Sequence, residues 1–331
     1  MLDQVLHHLA PRPGGWYCDA TFGEGGYTKA ILDRCECGVV AVDQDPDAVA
    51  KCTDLARAPA YSGRLVPLGG SFGDLERLAR SARLPPGNCS AAEGFDGVVF
   101  DLGLCTSQIS DAGRGFSYLR EGPLDMRMDV MATTAIAAAA AEGEFTRRRT
   151  IPASVVINSF PVEKLAQIFR EYGEERHSTR IARAIDRARS TRIIATTTDL
   201  AAIIRGALPS KPRARQNDGG GPIPSIARVF QGLRIYVNDE LGQLERGLSA
   251  AARLLVSGGR LVVVTFHSLE DQVVKRFLLK HSAPRSLGDD DGGSRPTLSI
   301  VTKKAVKPTK DEVSANPPSR SAKLRAAERI E

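Results

Sequence analysis

The sequence predicts an α/β fold built on a parallel sheet, and three observations point to it. Short apolar runs alternate with helical patterns through the first hundred residues. Three of those runs end in an acid, at Asp19, Asp43 and Asp101. The rhythm stops after residue 104 and resumes beyond a linker at 209–224, so one α/β domain is interrupted by an insertion.

The first strand, "WYCDATF" (16–22), runs into a Gly-rich turn, and "YTKAILDRC" begins a helix. "GVVAVDQD" (38–45) is a second buried strand, and Pro46 suits the first turn of the helix after it. "GRLVPLGGSFGDLERLARSA" supplies a third strand, a turn and a helix, and "FDGVVFDLG" (95–103) is the fourth strand. Residues 104–131 are rich in Gly, Ser and charge, and "ATTAIAAAAAEGEF" is low in complexity. From 160 to 208 the pattern is helical. Ile181, Ala184, Ile185 and Ala188 share one face there, and Arg176, Arg180, Arg183 and Arg187 share another. After the linker, "SIARVFQGLRIYVNDELGQLERGLSAAARLL" reads as one long helix and "RLVVVTF" (260–266) as a buried strand. "HSLEDQVVKRFLLKH" follows as a helix that Ser268 and Asp271 can cap. "TLSIVTKKAVKPT" reads as a late strand, and the tail "NPPSRSAKLRAAERIE" as basic and weakly structured. The predicted domains are 1–104 with 216–331, and a helical insertion at 105–215.

The 331 residues, 42% hydrophobic and 25% charged, are ordinary for a globular chain, and no apolar run approaches a membrane span. Six scattered cysteines form no CxxC pair and have no His at metal spacing, so reduced thiols and no metal site are expected. The net charge is +6, which suits a polyanionic partner. Residues 146–192 alone carry eleven Lys and Arg against five acids, which equals that whole excess. No secretory or transit peptide is visible, so a cytoplasmic compartment is expected. The chain enters a helix almost at Met1, and a clipped precursor destined for the mitochondrial matrix is the alternative expectation.

Three ligand classes use a strand, a Gly turn and a helix. The triphosphate string GxxxxGK[ST] is absent. A dinucleotide turn wants GxGxxG, and here Thr28 stands at the third glycine position after Gly23 and Gly25, which counts against a pyrophosphate. S-adenosyl-L-methionine carries cationic groups, for which Asp19 beside the turn is useful. Its ribose diol wants an acid at the end of the next strand, where Asp43 stands, and Phe72 and Asp101 suit the adenine.

Long blocks then carry a resemblance: "DATFGEGGYTKAIL", "AVDQDPDA", "FDGVVFDLGLCTSQISDAGRGFSYLREGPLDMRMD", "YGEERHSTRIARAI", "VFQGLRIYVNDELGQLERGL", "SGGRLVVVTFHSLEDQVVKRF" and "NPPSRSAKLRAAER". In this order, over nearly the whole chain, they resemble the RsmH/MraW family of small-subunit ribosomal RNA cytosine-N4 methyltransferases. The resemblance implies a Rossmann-like class I S-adenosylmethionine-dependent methyltransferase with an inserted helical domain. It also implies that the substrate is small-subunit rRNA, or the small ribosomal subunit, modified at a cytosine's exocyclic nitrogen. The family's cofactor contacts fall on Gly25, Gly26, Tyr27, Asp43, Phe72, Asp101 and Gln108. Tyr27 stands where the family often has His, and Gln108 rests on the resemblance alone. The family's opening His-containing block is absent, and residues 85–94 and 132–153 are longer than the family needs.

Cytosine N4 is a poor nucleophile, so the chemistry needs positioning and acceptors for its protons. The place after the fourth strand reads "DLGLC", without the prolines and aromatic common in amine methyltransferases. The acceptor candidates are therefore Asp101, Asp125 and His267 with Ser268, and more weakly Asn238 and Glu240. Asp125 has the competing reading of an ion pair with Arg127 or Arg114, and His267 that of a helix cap. The stripe of Arg176, Arg180, Arg183 and Arg187 suits RNA phosphates. Arg147, Arg148, Arg149, Lys303, Lys304, Arg320, Lys323 and Arg325 could extend it. Phe116, Tyr118, Tyr172 and Phe230 are the candidates for stacking on an unstacked base. The alternative function is a methyltransferase-fold assembly factor that binds rRNA without turnover. The sequence sets no oligomeric state, with a homodimer open.

Overall fold

The structure is a computed structural model that describes residues 1–82, 94–129, 150–208, 224–282 and 297–330. The low-complexity run, Arg147 to Arg149 and the linker after 208 fall outside them. The chain divides into two compact units, Met1–Gly103 with Leu241–Glu331, and Leu104–Glu240.

The first unit carries a sheet of seven strands among the described residues. These are β1 (Trp16–Asp19), β2 (Gly38–Asp43), β3 (Leu65–Gly69), β4 (Phe95–Asp101), β5 (Leu255–Thr265), β6 (Leu298–Ile300) and β7 (Lys323–Arg329). Their order is β3-β2-β1-β4-β5-β7-β6; β1 to β5 pair in parallel, and β7 runs antiparallel between β5 and β6. This is the Rossmann-like topology that the resemblance implies. Its strands are continuous apolar runs because helices cover both faces. Val40, Val42, Val98, Phe100, Leu261 and Val263 fill one core, and Val39, Ala41, Val99, Val262 and Val264 fill the opposite one. The chain leaves β1 toward β2 on one side, while β4 lies on the other. The resulting crevice at the carboxyl ends of β1 and β4 is where such sheets hold ligands.

The helices of this unit are α1 (Leu2–Leu9), α2 (Gly26–Arg34), α3 (Pro46–Ala56) and α4 (Leu75–Ser81). In the second unit lie α5 (Thr106–Ser110), α6 (Ala153–Ser159), α7 (Val162–Glu171), α8 (Ser178–Arg189), α9 (Thr197–Ala207) and α10 (Ser225–Asn238). The chain then re-enters the first unit through α11 (Glu240–Leu254), α12 (Ser268–Ser282) and α13 (Lys310–Ala315).

Four sequence expectations need correction. The single long helix is two, because Asp239 takes a left-handed φ of 50° between α10 and α11. Val229, Phe230, Leu233 and Val237 of α10 bury in the second unit's core with Leu165, Ile168, Phe169, Ile181 and Ile185. The boundary therefore falls at Leu241, not at 216. The tail is an ordered strand: Leu324, Ala326 and Ala327 of β7 are buried, and Lys323 and Arg325 pair with Asp271 at 3.3 and 2.7 Å. Those two cations are thus removed from the stripe that was to meet RNA. The late strand is only the three residues of β6.

Candidate functional site

The Gly turn is built by hydrogen bonds that tie three strand ends together. Phe22 N donates to Val42 O and Ala20 N to Val99 O, both at 2.9 Å. Gly25, at φ 77°, caps α2 in the left-handed conformation, and its N donates to Phe22 O at 2.7 Å. A Cβ at Gly25 would lie 2.7 Å from Phe22 Cζ, whereas a Cβ at Gly26 would meet nothing within 4 Å. The turn thus needs glycine at Gly25 for backbone shape and leaves open space over Gly26.

Asp43 joins β2 to this turn. Its Oδ2 accepts from Gly23 N at 2.8 Å and its Oδ1 from Asp45 N at 2.9 Å, and Gln44 N also donates to it, so the carboxylate keeps lone-pair capacity for one further donor. Burial raises its pKa, and the backbone N–H groups of Asp45, Gly23 and Gln44 oppose that shift. Asp19 differs. It is 0% exposed, Thr21 N donates to its Oδ1 at 3.2 Å, and the Thr28 hydroxyl donates to its Oδ2 at 2.7 Å. Burial pushes its pKa up to about 6. At 0% exposure this carboxylate is closed off beneath the turn, whereas Asp43 is only partly buried, so Asp19 is not offered to a ligand's cation, contrary to expectation. The same contact explains Thr28 at the third glycine position: its hydroxyl is needed to satisfy Asp19.

Asp101 ends β4. Its N–H donates to Thr21 Oγ1 at 2.6 Å, which fixes the strand end to the turn. Its Oδ1 is buried and has no hydrogen-bond partner among the described residues. Burial, then repulsion from Asp19 and Glu270, push its pKa up to about 7. Such an orphaned buried oxygen is rare in folded chains and marks a place where a donor arrives. Tyr27 is half-buried against the adjoining core. Burial raises its phenol's pKa first, followed by the charges of Asp101 and Asp19. Phe72 stacks edge-on against Phe100, with centroids 5.7 Å apart, and lies against Gly247 of α11. The loop under it is tied by Ser71 Oγ donating to Gln243 Oε1 at 2.7 Å.

At the end of β5 the sequence pointed to His267 and Ser268, and it missed Glu270. Glu270 is 2% exposed, and its Oε2 accepts from Phe266 N at 2.8 Å and His267 N at 3.2 Å. The string "HSLE" carried the signal, since a Glu three residues after a polar N-cap is a capping box. His267 and Glu270 form that cap, and Asp271, expected to cap α12, faces Lys323 and Arg325 instead.

Of the remaining expected residues, Lys303, Lys304 and Arg320 lie in the first unit and the others in the second. Gln108 accepts from Cys105 N at 3.1 Å and caps α5. Asp125 accepts from Arg127 Nε and Nη2, both at 2.7 Å, and its pKa is lowered by that guanidinium against the effect of burial. Its ion-pair reading therefore accounts for the geometry. Asn238 binds the backbone of Met126 and Met128 at 2.8 Å, and Glu240 pairs with Arg234 at 2.8 Å. Both hold the fold of this unit. Arg180, Arg183 and Arg187 are exposed along α8, Arg176 is exposed in the loop before it, and none of the four pairs with a described acid. The proposed stacking aromatics are spent on packing: Tyr118 meets Phe230 at 5.4 Å, Tyr172 meets Tyr236, and Phe116 is core.

The comparisons with known proteins agree along the length of the chain. The family described as MraW methylase matches residues 1–330. A ribosomal RNA small subunit methyltransferase H from Thermomicrobium roseum is 44% identical over 336 residues, covering 100% of this chain and 92% of the relative. The protein of that name from Rhodospirillum rubrum is 41% identical over 343 residues, covering 100% and 93%.

Proposed function

From the premise that this chain belongs to the MraW methylase family, we propose that it methylates the exocyclic N4 of one cytidine in small-subunit ribosomal RNA, using S-adenosylmethionine. The observation that carries the site is Asp101 Oδ1, a buried acceptor without a donor at the sheet's switch point.

The residues present fit the cofactor. Asp43 keeps acceptor capacity for a ribose diol at the end of β2, and the open space over Gly26 leaves backbone N–H groups for a carboxylate. Gly25, Gly26, Tyr27, Asp43, Phe72 and Asp101 of the first unit would hold it. When bound it supplies an electrophilic methyl on a sulfonium. A carboxylate accepting from the N4 amine holds that group in place and returns lone-pair density toward nitrogen. Asp101, whose pKa is about 7, can then receive the proton that N4 must shed and pass it to water. Asp125, held by Arg127, is better suited to shaping its loop than to this step.

Arg176, Arg180, Arg183 and Arg187 supply phosphate contacts, since unpaired exposed guanidinium groups bind polyanions without first breaking an ion pair. No helix among the described residues is long and apolar enough to cross a membrane. The bacterial relatives support a cytoplasmic site of action and lend nothing to a mitochondrial one.

The test is methyl-labelled S-adenosylmethionine with small ribosomal subunits, protein-free rRNA and DNA as acceptors. Label recovered as N4-methylcytidine from subunits or rRNA is expected. RNA binding without incorporation would instead favour the assembly-factor role, and label in DNA would refute the substrate.

A further inference from the structure

The cap of α12 fixes more than a helix end. Glu270 N donates to His267 Nδ1 at 3.3 Å, while His267 N donates back to Glu270 Oε2. A neutral imidazole whose Nδ1 accepts must carry its proton on Nε2. The His267 side chain is 10% exposed, and its Nε2 is buried with no hydrogen-bond partner among the described residues. Glu270 Oε1 lies 3.0 Å from it, but within the same tight turn and out of hydrogen-bond alignment. A buried N–H donor is therefore left to serve something else.

Its position says what. Asp101 pairs with Val264 across β4 and β5, and His267 stands three residues beyond Val264 at the same carboxyl edge. Glu270 is close enough to act on the charge of Asp101. An acceptor and a donor that make no hydrogen bond among the described residues thus share one edge of one unit.

We propose that His267 is a specificity-determining residue, presenting Nε2–H to ring N3 of the target pyrimidine while Asp101 Oδ1 accepts from its N4 amine. Cytosine offers a donor at position 4 and an acceptor at position 3. Uracil reverses both, so it would leave both buried groups facing like partners. A flipped base is read in this way along its Watson–Crick edge. Hydrogen bonding in the base plane leaves the out-of-plane approach to N4 free for the methyl. The inference rests on the N4-cytidine reading.

Two measurements test it. Nitrogen-detected NMR of the ¹⁵N-histidine protein, with the His267 signal assigned by its loss in His267→Gln, should show a neutral ring protonated at Nε2. His267→Phe, which removes the donor, should lower kcat/KM for the cytidine on the order of 10²-fold, as when a buried polar partner is left unmatched. His267→Gln keeps a donor and should recover part of that loss. S-adenosylmethionine binding by calorimetry should hold in both variants, which shows that the sheet edge is intact. A ring protonated at Nδ1, or an unchanged kcat/KM in His267→Phe with an active parent, overturns this inference alone. A parent that leaves cytidine unmethylated overturns the earlier reading with it.

Discussion

Asp101→Asn should make the free protein more stable at pH 8 while removing most of its activity. In the fold, burial and the neighbouring charges of Asp19 and Glu270 raise the Asp101 pKa from 3.8 to about 7. The native state therefore holds this proton more tightly than the unfolded chain does. Stability is greatest below the unfolded pKa and is lost as pH climbs from about 4 through about 7. A shift of roughly three pH units corresponds to at most about 4 kcal/mol of strain at pH 8. Asparagine cannot ionise, so the variant escapes that strain, and its advantage over the parent should widen between pH 5 and about pH 7 and level off above it. Guanidinium unfolding read by Trp16, the single tryptophan, buried in β1, measures the difference. A variant with no gain at pH 8, or a gap that does not change with pH, would refute the reasoning.

Three further outcomes follow from the same geometry. Gly25→Ala forces a left-handed φ of 77° on a residue with a Cβ and drives that atom into the Phe22 ring. It should cost about 1–2 kcal/mol from the backbone alone and weaken cofactor affinity, as thermal unfolding and calorimetry will show. Asp43→Ala leaves the N–H groups of Gly23 and Asp45 without their acceptor. It should destabilise the fold by about 1–3 kcal/mol and abolish cofactor binding, so retained binding would contradict the site. Arg180→Ala with Arg183→Ala should weaken RNA binding uniformly across sequences and lower the log–log salt slope by about 2, with cofactor affinity untouched.

The acid-tipped strands were legible because each is a short apolar run closed by turn residues, and the fold brings Asp19 and Asp101 to one turn through Thr21. The sequence could not tell which of these acids is free. That depends on Thr28, nine residues from Asp19, whose hydroxyl points inward only once α2 has packed. β7 was hidden by its charges: "KLRAAER" looks like a solvated tail until Asp271 on another element neutralises Lys323 and Arg325. The break at Asp239 was hidden because helical periodicity runs through "IYVNDELG" without a Gly or Pro at the bend. The aromatic candidates misled for a related reason, since in a chain with few aromatics the core claims them first. Glu270 shows the reverse, a local spacing that named the residue once the strand end was known.

Nucleoside mass spectrometry of small-subunit RNA, from cells with and without this protein, puts the account to its most direct trial. Loss of one N4-methylcytidine, restored by the parent gene and not by Asp101→Asn, is the result the structure predicts. An identical nucleoside profile in the two strains would contradict it.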